Sequence, residues 1–157
     1  MKVIDTLTGK KHLVDILPVD MADFKILTKD RYFFDWNLEK KQEVHKLLIK
    51  GSKDILGLVS IERIPQEWRI HIRLLTVSKE NKGSEKKYDR IVGCFIAFIA
   101  KMAIREFGEL ACVSLKSKSE IAQHYMDKYA MRLTGMTLSI EVPEIIDLIN
   151  FYDNDRK

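Results

Sequence analysis

The apolar positions of this chain change period several times, and each change marks an element. His12–Val19 reads as a first strand, and Asp20 behind it is placed to cap a short helix carrying Met21, Phe24 and Leu27. The aromatic run "RYFFDWN" predicts another strand, with Asn37 opening a polar turn. A strand near Val44–Ile49 ends at Gly51. From Ile55 to Ile61 nearly every residue is apolar, as in a strand covered on both faces. Pro65-Gln66-Glu67 reads as a hairpin turn.

Beyond that turn "WRIHIRLLTV" alternates. Trp68, Ile70, Ile72 and Leu74 share one face, and Arg69, His71 and Arg73 the other. The alternation breaks at Leu75 and Val77, which are apolar on the polar side. Either both faces become buried there, or a bulge near Leu74–Leu75 resets the register. A charged segment follows, and then a helix with Ile91, Phe95, Phe98, Ile99 and Met102 in one stripe. Val92 and Ile96 on its other side make that helix buried over most of its circumference, and Gly108 is its stop. "LACVSL" is a buried strand. Ser117 and Glu120 stand at capping-box spacing ahead of a helix on which Ile121, Tyr125 and Tyr129 share a face. "MRLTGMTLSI" is strand-like, and Pro143 is placed at the first position of a last helix. The order predicts an α/β fold with antiparallel pairing early and a right-handed strand–helix–strand crossover from Trp68 to Leu115.

With 157 residues, 46% of them hydrophobic and 32% charged, the chain is expected to form one globular domain over residues 1–157. Net charge is +4, but the cations are scattered and no nucleic-acid motif accompanies them, so no nucleic-acid partner is expected. Cys94 and Cys112 lie in apolar runs and read as reduced, buried thiols. The four histidines form no ligand pair at metal-site spacing, so no metal is expected. The longest uncharged apolar run, Ile91–Ala100, is far short of the ~20 residues of a membrane span. The N-terminus has no apolar signal core, and a cytoplasmic location is expected.

The stretch "LLTVSKENKG…YDRIVGCFIAFIA", followed by "HYMDKYAM", resembles the GNAT superfamily of N-acetyltransferases, and small bacterial-type members in particular. The resemblance covers roughly Ile55 to Tyr152. It implies a mixed, mostly antiparallel sheet flanked by helices on both faces. It also implies acetyl-CoA as cosubstrate and a small-molecule or peptide amine as acceptor. A helix N-terminus supplies unpaired N–H groups and the positive end of a dipole, glycines admit a pyrophosphate to the backbone, and lysines add screened attraction. In GNAT enzymes this kind of loop holds the pyrophosphate of acetyl-CoA, while the pantetheine arm pairs with the preceding strand. Here that implies Leu75 and Val77 for the arm, and Lys82, Gly83, Lys87, Tyr88, Arg90, Ile91, Val92 and Gly93 for the phosphates. The superfamily pattern has Arg or Gln, two spacers, Gly, one spacer, then Gly or Ala. Set against Lys87–Val92, it puts Arg90 and Val92 at the two small positions, with Gly93 one step later.

The same resemblance implies Tyr125 as the acid that protonates the departing thiolate, since a phenol keeps its proton at neutral pH. Tyr125 in a helix face with Ile121 also suits a plain core position. Glu62 is the candidate base, acting through water; Arg73 stands where many members carry Glu, and His71 is a further strand residue of suitable ordinary pKa. Phe33, Phe34 and Trp36 suit either an acceptor pocket or the core. The function implied is an acetyl-CoA-dependent N-acetyltransferase. The alternative is a non-catalytic GNAT-fold module that binds CoA or a protein.

Overall fold

The computed structural model describes residues 1–117, 119–134 and 137–153, and of Ser119, Glu120 and Ile121 the backbone alone. Nine strands and five α-helices are present among these residues. The strands form one mixed, mostly antiparallel sheet. The chain divides into two compact units, 1–60 with 74–95 and 61–73 with 96–157. Strands β4 (Gly57–Ile64) and β5 (Arg69–Val77) and helix α3 (Ile91–Phe107) each contribute to both.

In the first unit the strand order is β6-β1-β2-β3-β4-β5, with β1 at Lys2–Asp5, β2 at Lys11–Pro18, β3 at Glu43–Ile49 and β6 at Tyr88–Asp89. Asp20 caps α1 (Met21–Phe24) through a reciprocal bond with Asp23, as its position predicts. The segment expected to be an aromatic strand is instead α2 (Lys29–Tyr32) followed by a 3₁₀ turn at Trp36–Glu39. Local caps decide this. Thr28 accepts from the Arg31 amide, Phe33 closes α2 in a left-handed conformation, and Asp35 accepts from the Asn37 amide. Tyr32 and Trp36 then enter the core with Phe24, Leu27, Val44, Leu48, Ile55 and Leu58. Both satisfy their polar atoms there, Tyr32 Oη on the Ile55 carbonyl at 2.9 Å and Trp36 Nε1 on the Tyr32 carbonyl at 3.1 Å. Trp36 is therefore core, whereas Phe34 remains 41% exposed.

In the second unit the order is β4-β5-β7-β9-β8, with β7 at Cys112–Leu115, β8 at Arg132–Thr134 and β9 at Thr137–Glu141. The pairing of β5 with β7 is parallel, as the crossover reading requires, and β7–β9 and β8–β9 are antiparallel. The single late strand expected from "MRLTGMTLSI" is two strands, paired antiparallel from Arg132↔Ser139 to Thr134↔Thr137. Helix α4 (Ser119–Tyr129) follows β7, but the capping partner Glu120 and the face residue Ile121 lie, as side chains, outside the described residues. Helix α5 (Glu144–Tyr152) begins one residue after Pro143. Trp68 does not share the buried face of β5. It precedes the strand with φ +50° and is 49% exposed. No helix among the described residues is long and apolar enough to cross a membrane.

Candidate active site

In the first unit the even positions of β5 stay inward: Leu74 is half-buried, Thr76 buried, and Ser78 beyond the strand buried. Leu75 and Val77 are half-buried on the opposite face. The alternation is thus kept, and the break in hydropathy reflects partial cover on both faces. The β5–β7 register runs from Arg69↔Cys112 to Ile72↔Leu115; β7 ends there, while β5 continues to Val77. Leu75 and Val77 lie on the part of β5 that has no register with β7.

The charged segment after β5 is a hydrogen-bonded loop. The Ser78 amide donates to the Leu56 carbonyl at 2.8 Å, and Asn81 Nδ2 to Ser78 Oγ at 2.8 Å. Asn81 Oδ1 accepts the Tyr88 amide at 2.8 Å, closing the loop on itself. Asn81 is 3% exposed, so it sets the loop's path, and its polarity amid charged neighbours is the only sequence trace of this. The return limb pairs with β1, Ile4↔Asp89 and Asp5↔Tyr88, and Thr6 Oγ1 donates to the Lys86 carbonyl at 2.7 Å. Arg31 holds the opposite limb by donating to Glu80 and, at 2.8 Å, to Asp54 Oδ1. Burial alone raises the Glu80 pKa, but Arg31 prevails and holds it below the usual carboxylate range.

The predicted phosphate-loop residues all fall in this unit, though not as a bare cluster of cations. Lys82 Nζ lies over the Phe33 ring at 4.2 Å and Lys87 Nζ over the Tyr88 ring at 5.6 Å. Gly83 is left-handed, with open space where a Cβ would stand. Arg90 is left-handed too, at φ +81°, on the residue before α3 begins. Its amide donates to Asp89 Oδ1 at 2.8 Å, an oxygen that Lys86 Nζ also reaches at 2.8 Å. Ile91 and Gly93 are buried and Val92 half-buried in the first turn of α3. That turn sits close against β4 because Gly57 has no side chain. A Cβ there would meet Ile91 Cγ2 and Phe95 Cε2 at 2.9 Å and the Thr76 carbonyl at 3.0 Å.

The second unit carries the acid–base candidates. Tyr125 packs by its ring on Tyr129 at 5.8 Å, and Tyr129 on Tyr152 at 6.4 Å. Burial pushes the Tyr125 phenol above its ordinary value. Glu62 is half-exposed, with Arg73 Nη1 3.7 Å from its Oε1. His71 Nδ1 is 2.8 Å from Ser114 Oγ, which also accepts from Arg69 Nη1 at 2.8 Å. The direction of the bond between Ser114 Oγ and His71 Nδ1 follows the imidazole tautomer, since the hydroxyl can accept from Arg69 and still either donate to or accept from the ring. Burial, then Arg69, lowers the His71 pKa below its ordinary value, which favours the neutral ring. Ser117 Oγ, two residues past β7, is buried with no partner among the described residues. Among those residues no group of His, Cys, Asp or Glu is arranged to hold a metal.

No protein-family model matches the chain, and no curated protein matches it in sequence. Solved structures do. The ribosomal-protein-S18-alanine N-acetyltransferase from Escherichia coli is similar with a TM-score of 0.61 at 6% identity, over 83% of this chain and 94% of that one. A GNAT-family protein from Desulfovibrio desulfuricans gives 0.59 at 11%, over 83% and 99%. A mutant form of the AtaT toxin, bound to acetyl-CoA and the C-terminus of its antitoxin, gives 0.56 at 12%, over 88% and 99%. The chain has the fold of the GNAT acetyltransferases.

Proposed function

We propose that the protein is an acetyl-CoA-dependent N-acetyltransferase that passes the acetyl group directly to an amine. The observation that carries this reading is the run of β5 beyond the end of its register with β7, where Leu75 and Val77 offer strand backbone to an extended ligand arm. A further feature supports it. Arg90, opposite the first small position of the superfamily pattern, has the left-handed backbone for which glycine is normally chosen. Acetyl-CoA bound to a protein of similar structure, the AtaT toxin, supports the same cosubstrate.

In this reading the amine nitrogen attacks the thioester carbonyl carbon, and the carbon–sulfur bond breaks from the tetrahedral intermediate. The amine proton leaves through water to Glu62, and the Tyr125 phenol protonates the thiolate. The raised phenol pKa keeps that proton available at neutral pH. Lys82, Gly83, Lys87, Tyr88, Arg90, Ile91, Val92 and Gly93 form the phosphate end of the site.

One observation favours the second reading, a CoA-binding or interaction module without transfer. The Asp89 carboxylate already bonds the Arg90 amide at the start of α3, where a pyrophosphate would otherwise find unopposed positive charge. Calorimetric titration with acetyl-CoA, followed by turnover across a panel of amines, separates the two. Binding with turnover is expected, and Tyr125→Phe is expected to lower kcat by about a hundredfold with binding unchanged. No binding at millimolar acetyl-CoA sinks the transferase reading and leaves only a protein-interaction module, and binding without turnover leaves the CoA-binding module. An unchanged kcat in Tyr125→Phe removes the acid role.

A further inference from the structure

The second unit has a polar depression that the proposed acyl transfer does not use. Its floor is one face of the sheet. The registers Arg69↔Cys112, Cys112↔Glu141 and Ser114↔Ser139 bring these side chains to that face. Trp68 walls it ahead of β5, and Glu109 and Leu110 wall it after α3; the space measures about 540 Å³. This is within the range of about 300–1,000 Å³ typical of small-molecule sites. Arg69 opens β5, whereas Leu75 and Val77 close it, so the depression draws on different residues from the proposed transfer site.

Its charge is lopsided. Glu67, Glu109 and Glu141 line it against one cation, Arg69. That cation is spent: Nε and Nη2 donate to Glu67 Oε1 at 3.1 and 2.6 Å, and Nη1 donates to Ser114 Oγ. Among the described residues no ion pair forms to Glu109 or Glu141. Two uncompensated carboxylates therefore face one depression on a chain of net charge +4. Across it stands the half-exposed indole of Trp68. The far side is a run of hydroxyls, with Thr134 Oγ1 at 3.2 Å from Thr137 Oγ1 and 3.3 Å from Ser139 Oγ. Hydroxyls both donate and accept, carboxylates select a cation, and an indole face takes a cation or the C–H face of a ring.

We propose that this depression binds a hydroxylated organic amine, of which an amino sugar is the simplest example. Glu109 and Glu141 hold the ammonium group, Trp68 covers the ring, and Thr134, Thr137 and Ser139 take its hydroxyls.

The test uses the full chain without acetyl-CoA, so its outcome is independent of the transferase reading. Of the two tryptophans, Trp36 is fully buried, so a ligand-induced change in emission reports Trp68. Glucosamine is titrated against glucose, which has the same ring without the charge. Glucosamine is expected to change the emission saturably. Glucose, and the double variant Glu109→Gln/Glu141→Gln with glucosamine, are expected to bind at least about tenfold more weakly. Calorimetry on Trp68→Phe is expected to show weakened binding as well, without relying on the fluorescence signal. The proposal is overturned if glucosamine gives no saturable change up to about 50 mM. It is equally overturned if glucose binds as well as glucosamine, or if the double variant, unfolding at the parent's urea midpoint, binds as the parent does.

Discussion

At the scale of single residues, Arg90 is where sequence and backbone disagree most. A non-glycine residue in the left-handed region costs roughly 1–2 kcal/mol, while glycine costs the folded state about 0.5–1 kcal/mol in lost freedom. Arg90→Gly is therefore expected to raise stability by about 0.5–1 kcal/mol in urea unfolding. A destabilised variant would mean that the Arg90 side chain contributes more than its backbone costs. The residue types of this loop were legible in the sequence, and so was its place between strand and helix. Its hydrogen-bond closure by Asn81 was not, because that closure depends on Ser78 and Tyr88 converging from opposite limbs. His71, one of several base candidates on sequence alone, is engaged at Nδ1 by a serine 43 residues away.

At the scale of elements, caps and close approaches outweigh average propensity. Aromatic residues favour strands, yet Tyr32 and Trp36 lie in helical turns because Thr28 and Asp35 cap them locally. The two-residue strand Tyr88–Asp89 has no periodic signature of its own and exists only because β1 lies beside it. Helix α3 was legible, since its stripe from Ile91 to Met102 repeats over about three turns. What seats its first turn is Gly57, a residue with no pattern to announce it. Gly57→Ala is expected to lower stability by about 1–3 kcal/mol, because a backbone carbonyl at 3.0 Å cannot swing aside as a side chain does. Thermal unfolding followed by circular dichroism measures this, and a loss below about 0.5 kcal/mol would show that the helix gives way freely.

For the molecule as a whole, the buried polar groups tie stability to pH. The folded-state pKa of His71 lies below its ordinary value of 6.5, through burial and then Arg69, with Lys116 and Arg73 acting the same way and Glu62 against them. The fold therefore favours the neutral ring. The stability this contributes is complete above pH 6.5 and is lost as pH falls from there through the lower folded pKa. His71→Asn is expected to lose less stability than the parent between about pH 7.5 and 5.5, read from urea midpoints at both. Parallel losses in parent and variant would show that His71 titrates alike folded and unfolded.

Read alone, the sequence determined the α/β class, the long buried helix, the strand–helix–strand crossover and the charged loop ahead of that helix. Each of these is written in local periodicity and composition, which neighbouring residues carry between them. Only the tertiary structure decided that β5 outruns β7, that Arg90 turns left-handed, and that Ser117 Oγ has no partner among the described residues. It alone also gathered Trp68, Glu109 and Glu141 around one depression. These features arise from contacts between residues far apart in the chain, and such contacts leave no period in the sequence to be read.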